Sequence, residues 1–302
     1  MLPITENENP LSAEIDQMTT IEALTIINEE DKKVALAVGK ALPQIAKATD
    51  EIVKRLSEGG RLFYIGTGTS GRLGVLDAAE LPPTYGVSPD LVRGIIAGGY
   101  SALYQATEAS EDNREAGADD LRQAGISPGD SVIGLAASGR TPYTIGAVDF
   151  ARRLGCFTVC IVCTPDSELA RVAEVAIEAI VGPEVITGST RMKAGTAQKM
   201  ILNMISTVSM IRLGYVKGNR MTNVRPANQK LRERSIRILM SECGLGKEKA
   251  EEFFLAANND LRIAIIMAQT GVNAEMATSA LSKSDFVIRR AIEWLQNMQE
   301  DK

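Results

Sequence analysis

The 302-residue chain is 45% hydrophobic and 24% charged with a formal net charge of −5 and a pI near 5.2, an ordinary globular composition without the basic surface that nucleic acid or an anionic membrane would call for. It contains no histidine, which excludes histidine general-base catalysis, Ser-His-Asp triads and most transition-metal sites. Acid–base chemistry near neutral pH therefore falls to carboxylates, lysine, tyrosine, cysteine or water, and no metal site is expected.

Residues 1–10 are polar and are expected to be loosely ordered. From Thr20 to Leu56 apolar residues recur at helical spacing, predicting two or three helices with Pro43 marking a break or a first turn. Five short apolar runs follow, at 62–65, 91–97, 131–136, 157–163 and 175–181. Valine and isoleucine dominate them with little polar alternation, as in strands covered on both faces. Helical patterns lie between, for example at 142–154 and 168–172. This order predicts an α/β fold with a doubly wound, five-stranded parallel sheet. Cys160 and Cys163 form a CxxC, but alternation along a strand sets them on opposite faces, so they read with Cys156 as small buried hydrophobes of a reducing compartment. From residue 227 onward only helical periodicity remains. The expected organisation is an N-terminal helical segment over 1–50, a sheet domain over 51–225 and a small C-terminal helical module over 226–302. No apolar run reaches the roughly 18–20 residues of a membrane span and no secretory apolar core opens the chain, so a cytoplasmic protein is expected.

Ligands of doubly wound sheets gather at the carboxyl ends of the strands. After the first run comes Gly66-Thr67-Gly68-Thr69-Ser70-Gly71, leading into an amphipathic segment that ends at Glu80. After the third comes Ala137-Ser138-Gly139-Arg140-Thr141-Pro142, repeating the Ser-Gly-Arg of residues 70–72. After the fifth, the stretch from Gly182 to Arg191 carries Glu184, Ser189 and Thr190 ahead of a long helical pattern over 194–213. Hydroxyl-bearing glycine turns followed by helices suit a phosphate group: glycine permits close approach, and helix N-termini present free N–H groups. Residues 66–71 also satisfy GxGxxG, but the acidic residue that should close the second strand is missing, since Asp90 precedes it. A dinucleotide site is thus disfavoured, and the Walker lysine pattern is absent. Two carboxylate positions accompany the loops: Glu80, just before Pro82-Pro83, and the Glu111-Asp112 pair with Asn113. Each has a structural alternative, as a surface helix residue or an N-cap.

The strings IGTGTSGRLGVLDAAELPPTYG, EDNREAG, AASGRTPY and TGSTRMKAGTAQK together resemble the N-acetylmuramic acid 6-phosphate etherases of the sugar isomerase (SIS) domain superfamily. The resemblance runs from about Ser12 to the C-terminal helices. It implies an SIS domain, a C-terminal module similar to a ubiquitin-associated domain, and a homodimer with pockets near the subunit interface. It also implies a small-molecule sugar phosphate as ligand, no cofactor, and cleavage of the lactyl ether of MurNAc 6-phosphate to GlcNAc 6-phosphate and D-lactate. Glu80 matches the acid that protonates the departing lactate. The second acid falls within Glu111 and Asp112, with Asp112 preferred. Thr67, Gly68, Thr69, Ser70, Ser138, Gly139, Thr141, Glu184, Ser189 and Thr190 form the expected phosphate- and sugar-binding set. A sugar-phosphate isomerase or a non-catalytic sugar-phosphate sensor on the same fold is the alternative, and lactate release separates them.

Overall fold

The computed structural model describes residues 3–105, 111–223, 229–284 and 286–300. They pack as two compact units, one of the chain up to residue 79 with residues 89–206, the other of residues 80–88 with the chain from 207 onward.

The first unit opens with short 3-10 turns rather than loose chain. Ser12 Oγ donates to Val185 O at 2.7 Å and Asn9 Nδ2 to Pro183 O at 3.4 Å. Those acceptors are backbone carbonyls far away in sequence, so the local composition that predicted looseness carried no trace of them. Two helices follow, α1 (Thr20–Lys40) and α2 (Leu42–Ser57), and Pro43 stands in the first turn of α2, where its missing N–H costs no hydrogen bond. The α2 stripe Ile45, Ala48, Ile52 and Leu56 is buried at helical spacing.

The sheet strands are β1 (Leu62–Gly66), β2 (Val92–Ile96), β3 (Ser131–Leu135), β4 (Phe157–Val162) and β5 (Val175–Glu178). They run parallel in the order β2-β1-β3-β4-β5. All five fall within the apolar runs apart from one residue at the end of β1. β1, β3 and β4 are buried along their whole length, which is why they lack polar alternation. Because the chain steps from β1 to β2 on one side and then to β3 on the other, a crevice opens between the carboxyl ends of β1 and β3. Gly66 at the end of β1 is paired with Leu135 at the end of β3, so the loops leaving these strands start side by side.

The crossovers are α3 (Gly68–Tyr85), α4 (Arg114–Gln123), α5 (Pro142–Leu154) and α6 (Glu168–Val172), and α7 (Lys193–Arg212) follows β5. Helix α3 departs from expectation at both ends. It begins inside the glycine run, and it continues through Pro82 and Pro83 to Tyr85. Proline already holds a helical φ, so near a C-terminus it forfeits its own hydrogen bond without having to end the helix. Gly86, with φ +65° and its N–H donating to Pro82 O at 2.9 Å, supplies the stop. α4 lies unusually close to α5: a Cβ on Gly117 would stand 2.1 Å from Tyr143 O, and one on Gly146 1.9 Å from Arg114 O. Only glycine permits this approach, which brings the residues before α4 to the start of α5. Cys156, Cys160 and Cys163 are buried and unpaired, and burial pushes the Cys160 and Cys163 thiols up to about 12, as expected of inert core residues.

The second unit contains a two-stranded antiparallel ribbon, β6 (Val216–Lys217) with β7 (Arg220–Met221), and the helices α8 (Gln229–Cys243), α9 (Lys247–Ala256), α10 (Leu261–Thr270), α11 (Ala274–Lys283) and α12 (Ile288–Glu300). Asp260 and Asn273 cap α10 and α11 with their side chains. Leu239, Phe254, Ile265, Ala280 and Ala291 are among the residues of its shared apolar core.

Candidate active site

The loop after β1 turns from strand to helix within two residues. Gly68 holds φ +49°. A Cβ on Gly66 would stand 2.8 Å from Leu135 O, and one on Gly71 2.6 Å from Gly66 O, so no larger residue fits the turn. Thr67 is buried, while Gly68, Thr69 and Ser70 are half-buried at the N-terminus of α3. The loop after β3 turns at Gly139, φ +63°, where a Cβ would lie 2.3 Å from Ser167 Oγ. Ser138 and Thr141 are half-buried on it, and Pro142 starts α5.

Glu111 joins these two loops. Its backbone carbonyl accepts from the Tyr143 N–H at 3.0 Å, in the first turn of α5. Its Oε1 lies 3.4 Å from the point where a Cβ on Gly68 would stand. The carboxylate is therefore set against the β1 loop, whereas Asp112 is exposed and the next residue, Asn113, caps α4 by accepting from the Glu115 and Ala116 N–H groups. Neighbouring side chains here point different ways, and it is Glu111 that faces the crevice.

The third loop follows β5 at the edge of the sheet, yet its end returns toward β1. Gly195, in the first turn of α7, has Thr69 Cγ2 and Thr190 O within 3.5 and 3.6 Å of its Cβ position. Ser189 and Thr190 are half-buried. The N-termini of α3 and α7 thereby meet, with that of α5 joined through Glu111, and an anion among them would face the positive ends of several helix dipoles. Glu184 has a different place. It is fully buried and its two oxygens accept from the Lys193 and Ala194 N–H groups at 3.0 and 2.9 Å. It caps α7, and its carboxyl titrates above the usual range because burial outweighs those bonds and the Lys193 charge.

Glu80 stands well along the helix that begins at Gly68, about 18 Å away at 1.5 Å rise per residue. It is exposed. The carboxylate set against the β1 loop is thus that of Glu111.

Three buried polar groups that the sequence reading missed support the loops. Lys193 is 1% exposed and its Nζ donates to Glu30 Oε2 on α1 at 2.5 Å. Although burial opposes it, the hydrogen bonds from Lys193 and Lys33 hold the Glu30 carboxyl below its ordinary range. Asp77 on α3 accepts from Tyr64 OH, Asn203 Nδ2 and Ser206 Oγ, while burial raises its pKa. Gln198 on α7 accepts from Ser70 Oγ at 2.9 Å. The available signal was faint: Gln198, Asn203 and Ser206 are three of several polar residues scattered through α7.

A doubly wound sheet with hydroxyl-rich turns at its switch point defines the class. Residues 112–208 match the SIS domain family model and residues 44–152 match that of the glucokinase regulatory protein N-terminal SIS domain. Among curated relatives, N-acetylmuramic acid 6-phosphate etherase 2 of Vibrio cholerae is 50% identical over 96% of this chain and 94% of its own length. The Symbiobacterium thermophilum enzyme of that name is 55% identical over 89% of each chain, and that of Lactobacillus acidophilus 53% over 92% and 94%. The chain belongs to the N-acetylmuramic acid 6-phosphate etherase family. No described helix is long and apolar enough to cross a membrane.

Proposed function

We propose that this protein cleaves the D-lactyl ether of N-acetylmuramic acid 6-phosphate in the cytoplasm, giving N-acetylglucosamine 6-phosphate and D-lactate. The observation that carries the reading is 50% identity to a named etherase across 96% of the chain. The geometry supports it through a carboxylate, Glu111, held 3.4 Å from the Cβ position of Gly68 in a hydroxyl-lined turn.

An alkoxide is a poor leaving group, so direct displacement at C3 is unattractive. In the ring-opened sugar the C2 hydrogen lies beside an aldehyde and is acidic. A base takes that proton, the C2–C3 double bond forms, and the C3–O bond breaks as an acid protonates the departing lactate oxygen. Water then adds across the double bond, its oxygen to C3 and a proton to C2, and N-acetylglucosamine 6-phosphate results. Two carboxyl groups and water balance the sequence. Glu111 serves as the C2 base, ahead of its neighbour Asp112, because its carboxylate faces the turn. Thr67, Gly68, Thr69, Ser70, Ser138, Gly139, Thr141, Ser189 and Thr190 hold the 6-phosphate and the sugar hydroxyls, and Glu184 contributes indirectly by capping α7. The protein acts as a homodimer in which Glu80 of a second copy supplies the acid, since helical rise separates Glu80 from the turn of its own chain.

The test is incubation of the purified protein with MurNAc 6-phosphate and measurement of D-lactate. Stoichiometric lactate with GlcNAc 6-phosphate is expected. An isomerised sugar without lactate, or binding without turnover, would overturn the reading.

A further inference from the structure

Ser70 and Gln198 meet near the starts of α3 and α7. Ser70 Oγ donates to Gln198 Oε1 at 2.9 Å, Gln198 is 1% exposed, and its Nε2 has no hydrogen-bond partner among the described residues. A serine hydroxyl carries a single proton. While Gln198 accepts it, Ser70 presents only lone pairs to the turn, and these repel a phosphate oxygen. Half a rotation of the carboxamide exchanges oxygen and nitrogen at nearly the same positions. Nε2 then donates to Ser70 Oγ, and the Ser70 proton is released toward the turn. Each orientation makes one bond to Ser70 and leaves one amide atom unpaired, so the two lie close in free energy when the site is empty. An anion accepts a proton from Ser70 only in the second orientation and selects it.

We propose that Gln198 is a positioning residue for phosphate capture, turning its amide so that Ser70 can donate to the ligand. Naming the ligand a sugar 6-phosphate rests on the etherase reading. Gln198 belongs to the wall of the turn: Gly195, three residues earlier on the same helical face, has Thr69 Cγ2 3.5 Å and Thr190 O 3.6 Å from its Cβ position.

The experiment is a double-mutant cycle of Ser70→Ala and Gln198→Met, read in kcat and KM for lactate release and in calorimetric Kd for GlcNAc 6-phosphate. Ser70→Ala raises KM and Kd about tenfold, the size of one hydrogen bond to a charged group, with little change in kcat. Gln198→Met, which frees the Ser70 proton but loses the bond that aims it, raises them about threefold, the cost of fixing one of three rotamers. The double variant binds no worse than Ser70→Ala alone, because Gln198 acts through Ser70. Independent effects that multiply to about 30-fold, as a purely structural Gln198 would give, overturn the proposal; so does an unchanged Kd in Gln198→Met. Gln198→Glu keeps the size of the side chain and, once ionised, can only accept. Its Kd therefore weakens further as pH rises, and a flat profile at the wild-type value overturns the proposal even where the methionine variant does not fold. A wild type that binds GlcNAc 6-phosphate but releases no lactate sinks the etherase reading alone, because the cycle in Kd still decides the role of Gln198.

Discussion

The two packing units differ in what they bury. Every buried charged side chain among the described residues, Glu30, Asp77, Asp130, Glu184 and Lys193, lies in the sheet-bearing unit. The helical unit has an apolar core built from residues such as Leu239, Phe254, Ile265 and Leu281. Burying charge is unfavourable unless partners are placed with care, and an apolar core of the same volume is usually no less stable. The sheet-bearing unit accepts that burden where turns and helix starts must be held in register for an anion. Among its described residues the helical unit buries no charged side chain; its Glu242, paired with Lys217 and Arg220, keeps contact with solvent.

The sharpest test of this contrast is within one dipeptide. On the assignment proposed above, Glu111→Gln lowers lactate release about 10³-fold, within the range of a lost general base, whereas Asp112→Asn, altering an exposed neighbour, stays within a few-fold of wild type. Steady-state rates on MurNAc 6-phosphate decide it. The reverse ranking would move the base one residue along and detach it from the β1 turn.

Next in size is the buried ion pair. Lys193→Met leaves Glu30 in the interior with only the half-exposed Lys33 as partner, so a loss of about 3 kcal/mol is expected, as when one member of a buried pair is removed. Glu30→Gln together with Lys193→Met recovers much of it. Denaturant titration of the three variants measures this; if the double variant is as weak as the sum of the singles, the pair is not acting as a unit.

What was legible in the sequence follows the same division. The strands were visible because β1, β3 and β4 are buried on both faces and read as unbroken apolar runs. The C-terminal helices were visible from a strong 3.6-residue pattern. The turns after β1 and β3 were visible because backbone at positive φ demands glycine, as at Gly68 and Gly139. The supporting charges were not. Lys193 answers to Glu30 on α1, and Ser12 to the carbonyl of Val185, partners that no local window contains. Glu184 was noticed for its company in the third loop, but its work is done by two backbone N–H groups of α7. Helix α3 outran its predicted end because proline near a helix C-terminus is permissive where mid-helix proline is not.

A smaller effect is expected from acid. Asp130 is buried, and the bonds from Arg61 and Ser127 outweigh desolvation and hold its pKa below the ordinary 3.8. A carboxylate whose pKa is lower folded than unfolded adds stability above its unfolded value and loses it as pH falls through the folded one. Stability should therefore drop below about pH 4, and Asp130→Asn should flatten that slope while lowering stability at pH 7. Thermal melts from pH 7 to 3 test it, and an unchanged slope in the variant would assign the acid sensitivity elsewhere, with Glu30 the next candidate by the same sign.

The smallest expected effect comes from the helical unit and tests whether its core is as plain as it looks. Ile265 is fully buried in α10 among apolar neighbours. Ile265→Val removes one methylene and should cost about 1 kcal/mol, the transfer term plus a small cavity. Since no charge is involved, the loss should be the same at pH 7 and pH 3, unlike that of Asp130→Asn, whose effect fades as the carboxylate is protonated. Because two units share one chain, a single melt need not report one equilibrium; hydrogen exchange at the α10 amides reads the local loss directly. KM for MurNAc 6-phosphate should not move. A shift in KM from so small a change would mean that the apolar core, and not only the buried charges of the sheet-bearing unit, sets the geometry of the anion-binding turns.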